Sequence, residues 1–251
     1  MTAAPMTADE FLARLRAEGE ARYHDRHPFH TAMHEGRLSP AQLQGWTLNR
    51  YYYQTRIPIK DALILSKSED SAFRRSWIRR IHDHDGIGPG EGGGSGEGGL
   101  ELWLRLAEGV GLDRDEVKSC ARVLPAVRFA CDGYVSLVRE RSLVEAVASS
   151  LTEFFSPDIM TRRLAAWEEH YPWIDPKVQE YFRSRVPRAR EDSGEALAFV
   201  MQNATTRAMQ DRCLDAFITK CHVLWCLLDA VAAGYGNVAT TPVARSHSSF
   251  P

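Results

Sequence analysis

The feature that most constrains this chain is its repeated helix-start punctuation, while no stretch reads convincingly as a strand. Thr7 with Glu10, and Ser39 with Pro40 and Gln42, each place a hydroxyl three residues before a Glu or Gln. That spacing lets the two side chains satisfy each other's orphaned backbone N–H groups, and proline suits the first helical position. Both signals open long amphipathic stretches. Further helices are expected over about 70–84, 98–109, 125–141, 144–155, 158–170, 176–185 and 192–233. In LELWLRLAEGVGL and CHVLWCLLDAVAAGY the apolar positions recur at helical spacing. With 251 residues, 44% of them hydrophobic, one sizeable core can form without disulfides. The expectation is an all-α protein with short connections: a compact bundle of about seven helices, one domain over 1–235, and a flexible tail or the start of a linker over 236–251.

Charge narrows the possible partners. Lys and Arg number 31 against 33 Asp and Glu, a net charge of -2, so there is no bulk field to attract nucleic acid or an anionic membrane surface. Any anion site must be local. Cys120, Cys131, Cys213, Cys221 and Cys226 are odd in number and form no CxxC pair, which points away from a disulfide framework or thiolate metal site and toward a reducing cytoplasm. The opening MTAAPMTADEF lacks the apolar stretch of a secretory signal, and no apolar run is expected to reach the roughly 20 residues of a membrane span. Nine of the 18 glycines fall between Gly86 and Gly99, a composition that suits a surface loop. GxGxxG occurs there twice, but after a helix-like segment where dinucleotide binding requires a strand.

Several polar residues sit where chemistry could use them. His27, His30 and His34 have the spacing of one helix side, so either a metal site or a histidine-rich packing face would explain them; HExxH is absent. His84 ends a helix just before Gly86, where the helix dipole favours imidazolium, as a proton donor or acceptor or simply as a cap. Arg50, Tyr53 and Gln54 fall at i, i+3 and i+4, gathering a cation, a phenol and an amide, and Tyr181 with Arg185 repeat the arrangement. Lys220 lies in apolar text, where a charge needs a reason. Arg50, Arg185 and Lys220 together could hold a multiply carboxylated ligand, unless each pairs with an acid or reaches solvent. Glu153 and Arg163 are polar within apolar helices, and an internal ion pair would also account for them. No GxSxG or GK[ST] motif supports hydrolase or phosphotransferase chemistry.

Taken in order, YHDRHPFHTAMHEG, QGWTLNRYYYQTRIPIKDA, RRIHDHDG, LPAVRFACDGY, SSLTEFFSPDIMTRRL, HYPWI and YFRSRV resemble the pyrroloquinoline-quinone synthase (PqqC) family across about residues 10–235. The resemblance implies a haem-oxygenase-like, TenA-like catalytic domain, a homodimer that uses neither metal nor organic cofactor. It also implies the reaction: ring closure and eight-electron oxidation of a quinoline tricarboxylate by molecular oxygen, releasing hydrogen peroxide and pyrroloquinoline quinone. By motif, His84, Tyr181, Arg185, Lys220 and His24 would be catalytic, and Arg50, Tyr53, Gln54, Tyr134, Glu153 and Arg163 would bind substrate, with no metal ligands. Met160 departs from the pattern, standing where relatives commonly carry a pocket histidine. The glycine-rich loop is longer than usual, and the tail suits a chain cut from a fusion with a PqqD-type carrier domain. Two other readings share these features: a haem-oxygenase-like di-iron oxidase using His27, His30 and His34, and a non-catalytic quinone-binding carrier.

Overall fold

The structure, a computed structural model, describes residues 3–87 and 96–236. Among them there is no strand, and twelve α-helices follow one another: α1 (Ala8–Arg22), α2 (Pro28–His34), α3 (Pro40–Leu65), α4 (Ser71–Trp77), α5 (Arg79–Asp85), α6 (Gly99–Gly109), α7 (Arg114–Ser119), α8 (Pro125–Glu140), α9 (Leu143–Ser149), α10 (Ser156–His170), α11 (Glu180–Asn203) and α12 (Arg207–Tyr235). Short 3-10 turns lie at His24–Arg26, Ser150–Phe155 and Pro176–Gln179. The all-α expectation holds, but about seven helices was too few. Some expected stretches are interrupted: 70–84 is divided at Ile78, and 144–155 tightens into a 3-10 turn at Ser150. The late boundaries also differ. No break falls between 185 and 192; α11 continues through Pro187 to Asn203, and α12 starts at Arg207 under a Thr206 cap. Most of the glycine-rich loop expected over 86–99, with much of its two GxGxxG matches, falls at 88–95, and the tail expected over 236–251 runs on from 237; both lie outside the described residues.

Both capping boxes form. Glu10 N donates to Thr7 Oγ1 while Thr7 N donates to Glu10 Oε2, and Ser39 and Gln42 do the same. The second box launches α3, a 26-residue helix that packs against α5, α6, α8 and α12 and so forms the axis of the bundle. Its buried Trp46 meets Trp103, Trp167 and Phe182, whose ring centroids lie 5.5, 6.1 and 6.5 Å away. Trp103 Nε1 donates to the Thr47 carbonyl at 3.0 Å, so a large apolar ring enters the core with its polar atom satisfied. Close approach is set by Gly45, where a Cβ would stand 2.4 Å from the Tyr235 ring. Only glycine lets the end of α12 lie against α3 there.

α12 corrects one expectation. Over 18 residues its mean hydropathy reaches 1.5, long and apolar enough to cross a bilayer by length and composition. Here its apolar side is core, with Phe217, Cys221, Leu224 and Leu228 buried against neighbouring helices.

A buried ion pair braces the axis. Lys60 Nζ stands 2.7 Å from Asp61 Oδ1 and donates to Ser150 Oγ at 2.9 Å, while Trp77 Nε1 donates to the same Asp61 oxygen at 2.9 Å. These bonds tie α3 to α4 and to the Ser150–Phe155 turn. Removing one partner strands the other charge in the core. Asp61→Ala is therefore expected to lower the unfolding free energy in urea by about 3–5 kcal/mol. Thr7→Ala, which removes only an exposed cap, is expected to cost about 1 kcal/mol in the same measurement.

Candidate active site

Beside α3 lies a cleft whose walls come from seven segments. α3 contributes Arg50, Tyr53, Gln54 and Ile57 at i, i+3, i+4 and i+7, one stripe of a helix. The 3-10 turn after Tyr23 brings in His24, α5 ends with His84, and the Ser150–Phe155 turn supplies Thr152 and Glu153. α10 adds Ser156 and Met160, α11 adds Tyr181 and Arg185, and α12 adds Leu224. Eight of the anticipated residues thus meet in one cavity wall: His24, Arg50, Tyr53, Gln54, His84, Glu153, Tyr181 and Arg185.

Three stand behind it instead. Lys220 Nζ donates to Tyr53 Oη at 2.7 Å and lies 3.4 Å from the centre of the Tyr134 ring, so Lys220 and Tyr134 back the wall rather than form it. Arg163 is buried over the rings of Trp46 and Phe182, 4.9 and 5.3 Å from their centroids, with an Nη atom 3.4 Å from His30 Nε2. Glu153 and Arg163 do not pair with each other. Glu153 pairs at 2.7 Å with Arg80, a residue the sequence reading passed over. A signal was present: Trp77, Arg80 and His84 follow i, i+3, i+7 and form the buried stripe across α4 and α5. Tyr23, Ile57, Thr152, Ser156 and Leu224 also went unremarked, because neutral residues at helical spacing look like core.

Arg80 organises this end of the site. Besides Glu153 it donates to the Asp192 carbonyl, and its own carbonyl lies 3.0 Å from His84 Nδ1. A carbonyl only accepts, so His84 carries its proton on Nδ1, and its Nε2 is a buried lone pair with no partner among the described residues. Burial, with the Arg185 guanidinium next, holds His84 well below the ordinary histidine pKa. The imidazolium expected at a helix C-terminus is therefore replaced by a neutral ring, because the end of α5 is buried rather than exposed.

The electrostatics are lopsided. Among the described residues, Arg50, Arg163 and Lys220 make no ion pair with a carboxylate, and Arg185 reaches Asp83 and Asp192 only at 4.0 Å. Burial and then Arg50 bring Arg163 down to about 9, and burial with Arg50 also holds Lys220 well below its ordinary value. Glu153 is held low: burial raises it, but Arg80, Lys60 and Arg185 outweigh that. Tyr53 and Tyr181 are raised by burial and stay phenols. Buried polar atoms without hydrogen-bond partners include Gln54 Oε1, His84 Nε2, Arg163 Nε and Arg185 Nη1.

His27, His30 and His34 do not converge. His27 caps α2, accepting from Phe29 N, and its Nε2 lies 3.1 Å from Asp229 on α12, while His30 and His34 stack at 6.1 Å. Among the described residues no group of three His, Cys, Asp or Glu side chains is placed to hold a metal ion.

Comparison with known proteins agrees with this geometry. The TENA/THI-4/PQQC family matches residues 12–230. A pyrroloquinoline-quinone synthase of Pseudomonas putida is 51% identical over 233 residues, covering 93% of this chain and 90% of its own. One from Pseudomonas aeruginosa is 51% identical over 235 residues, covering 94% and 91%. Among solved structures, the TenA homologue of P. horikoshii superposes with a TM-score of 0.70 at 14% identity, covering 89% of this chain and 99% of its own. A domain with a heme oxygenase-like fold from Shewanella denitrificans gives 0.71 at 14%, covering 92% and 94%. At that identity the structures speak for the fold, and the sequence relatives speak for the branch: the chain belongs to the TENA/THI-4/PQQC family, among its pyrroloquinoline-quinone synthases.

Proposed function

We propose that the chain catalyses the reaction for which its Pseudomonas relatives are named, the formation of pyrroloquinoline quinone. In this reading a bicyclic, amino-acid-bearing quinoline tricarboxylate undergoes ring closure and eight-electron oxidation by molecular oxygen, and hydrogen peroxide is released. The observation that carries the reading is the surplus of buried cations around one cleft. Unpaired buried charge is costly, and a ligand with several carboxylates supplies the missing partners as bidentate, charge-assisted bonds. The orphaned polar atoms fit the same ligand, since buried groups normally find a partner.

The residues then divide the work. The cations bind and orient the carboxylates. His84, neutral with its Nε2 lone pair free, accepts a proton from substrate carbon, and the arriving carboxylates raise its basicity as they bind. The resulting stabilised carbanion passes its electrons to oxygen. Arg185 and the Tyr181 phenol stand where positive charge and a hydrogen-bond donor favour the reduced oxygen that forms, and exclusion of water strengthens both effects. Because Tyr53 Oη accepts from Lys220, its own O–H remains available to the ligand. Oxygen is the co-substrate in this reading, and neither metal nor organic cofactor takes part.

The reading also includes a cytoplasmic homodimer. Five free cysteines suit a reducing compartment, and Phe129 on α8 and Ile59 on α3, 83% and 41% exposed on two helices that pack together, suit a face for a second copy.

The direct test incubates chelator-treated protein with the quinoline precursor in air and follows product by mass spectrometry and peroxide by a coupled assay. Enzyme-dependent quinone and peroxide are expected; product that forms only after iron is added would overturn the cofactor-free reading. Arg50→Met is expected to weaken binding of pyrroloquinoline quinone about 10–100-fold in a titration, the loss of one charge-assisted contact. His84→Asn is expected to bind within a few-fold of wild type and to stall before full oxidation.

Acid sensitivity gives a further expectation. His24, His30 and His84 are held well below the ordinary histidine value by burial first. Above about pH 6.5 the folded and unfolded chains bind the same number of protons at these sites, and below it only the unfolded chain gains them, so stability falls with falling pH. Asp192, pushed up to about 6 by burial, works in the opposite sense by one proton. His34, brought down to about 3 by burial first, adds to the histidine side, so the ligand-free protein is expected to lose stability in urea titrations as the pH falls below about 6.5. Bound pyrroloquinoline quinone, by raising the histidine pKa values, is expected to flatten that slope.

A further inference from the structure

Two imidazoles line the cleft, and what fixes the second lies outside it. His30 is fully buried on α2, is not part of the cleft wall, and has no role in the chemistry above. Its Nδ1 lies 3.0 Å from the His24 carbonyl and 3.1 Å from His24 Nδ1. The carbonyl can only accept, so the His30 proton sits on Nδ1. Two N–H groups cannot face each other at that distance, so His24 Nδ1 must be the acceptor of a shared hydrogen bond. The other side of His30 agrees, since its Nε2 faces an Arg163 Nη, which can only donate. With Nδ1 used as an acceptor, His24 holds its single proton on Nε2, an atom with no hydrogen bond among the described residues, on a ring that lines the cleft. Stacking on Tyr23, with ring centroids 4.4 Å apart, fixes the plane of the ring.

We propose that His30 is a positioning residue that locks His24 as the Nε2–H tautomer, so the cleft presents one imidazole as a hydrogen-bond donor and the other, His84, as an acceptor. The ligand group that His24 takes is then a carboxylate or carbonyl oxygen. This deepens the proposed function, and rests on it for the identity of the ligand but not for the tautomer. Neutrality of both rings follows from their burial among Arg50 and Arg163.

The test reads the tautomer first. Long-range nitrogen–proton NMR of histidine-labelled wild-type protein, with His24 assigned by the signal lost in His24→Asn, is expected to show a protonated Nε2 and an unprotonated Nδ1 on His24. A proton on Nδ1 would overturn the proposal, whatever the activity proves to be. His30→Asn places an amide N–H near the Nδ1 position and is expected to keep both the His24 tautomer and most of the turnover. His30→Gln places its amide near Nε2 instead, and is expected to release the tautomer and lower kcat/KM about tenfold or more, as loss of an orienting hydrogen bond does elsewhere. Equal turnover in the two variants, or an unchanged His24 tautomer in His30→Gln, would also overturn it. If the tautomer behaves as expected and no quinone forms from the precursor, the positioning role stands and the substrate assignment fails.

Discussion

Everything at the acidic end of the cleft hangs on Arg80. Its guanidinium holds Glu153 on a 3-10 turn and the Asp192 carbonyl on α11, and its carbonyl orients His84 one turn further along α5. The side chain thereby ties α5 to two segments that sequence places far away, and the backbone carbonyl of the same residue decides which nitrogen of His84 is free. A lysine could carry the charge but could not fork to two acceptors in fixed geometry. Such a group survives burial only because its bonds are complete, and the neighbouring cations around the cleft are the reverse case: desolvated, stacked on rings and short of partners.

That contrast explains how a chain of net charge -2 holds a strongly positive interior. The surface contributes the acids. Ion pairs such as Arg37 with Glu35 and Arg207 with Asp211 are exposed and add little to stability, but they balance the count and hide the local field from any composition-based reading. Bulk charge by itself could not reveal where the anion site lies.

Local signals were legible in the sequence and long-range ones were not. Capping boxes at Thr7 and Ser39 and the stripe Arg50, Tyr53, Gln54 depend on residues within one or two turns, and they stand as read. The family resemblance brought His24, Tyr181 and Arg185 to the same cleft wall, which spacing could not do. What could not be read needed the third dimension. That Glu153 pairs with Arg80, that His84 is buried and neutral, and that Lys220 stands behind Tyr53 each depend on which helix lies opposite. α12 is long and apolar enough to cross a bilayer, and only its neighbours show that its apolar side is core.

Two long walls of the cleft each carry an internal proline. Pro58 in α3 has no N–H to offer the Gln54 carbonyl, and Pro187 in α11 has none for that of Arg183. Each helix is therefore one rung short beside a residue that faces the cleft, Gln54 in one and Arg185 in the other. A helix bends most cheaply where no hydrogen bond must stretch. The scaffold thus concentrates its compliance at the height of the ligand, so small adjustments of the amide and the guanidinium can follow a changing ring system while the rest of the bundle stays still.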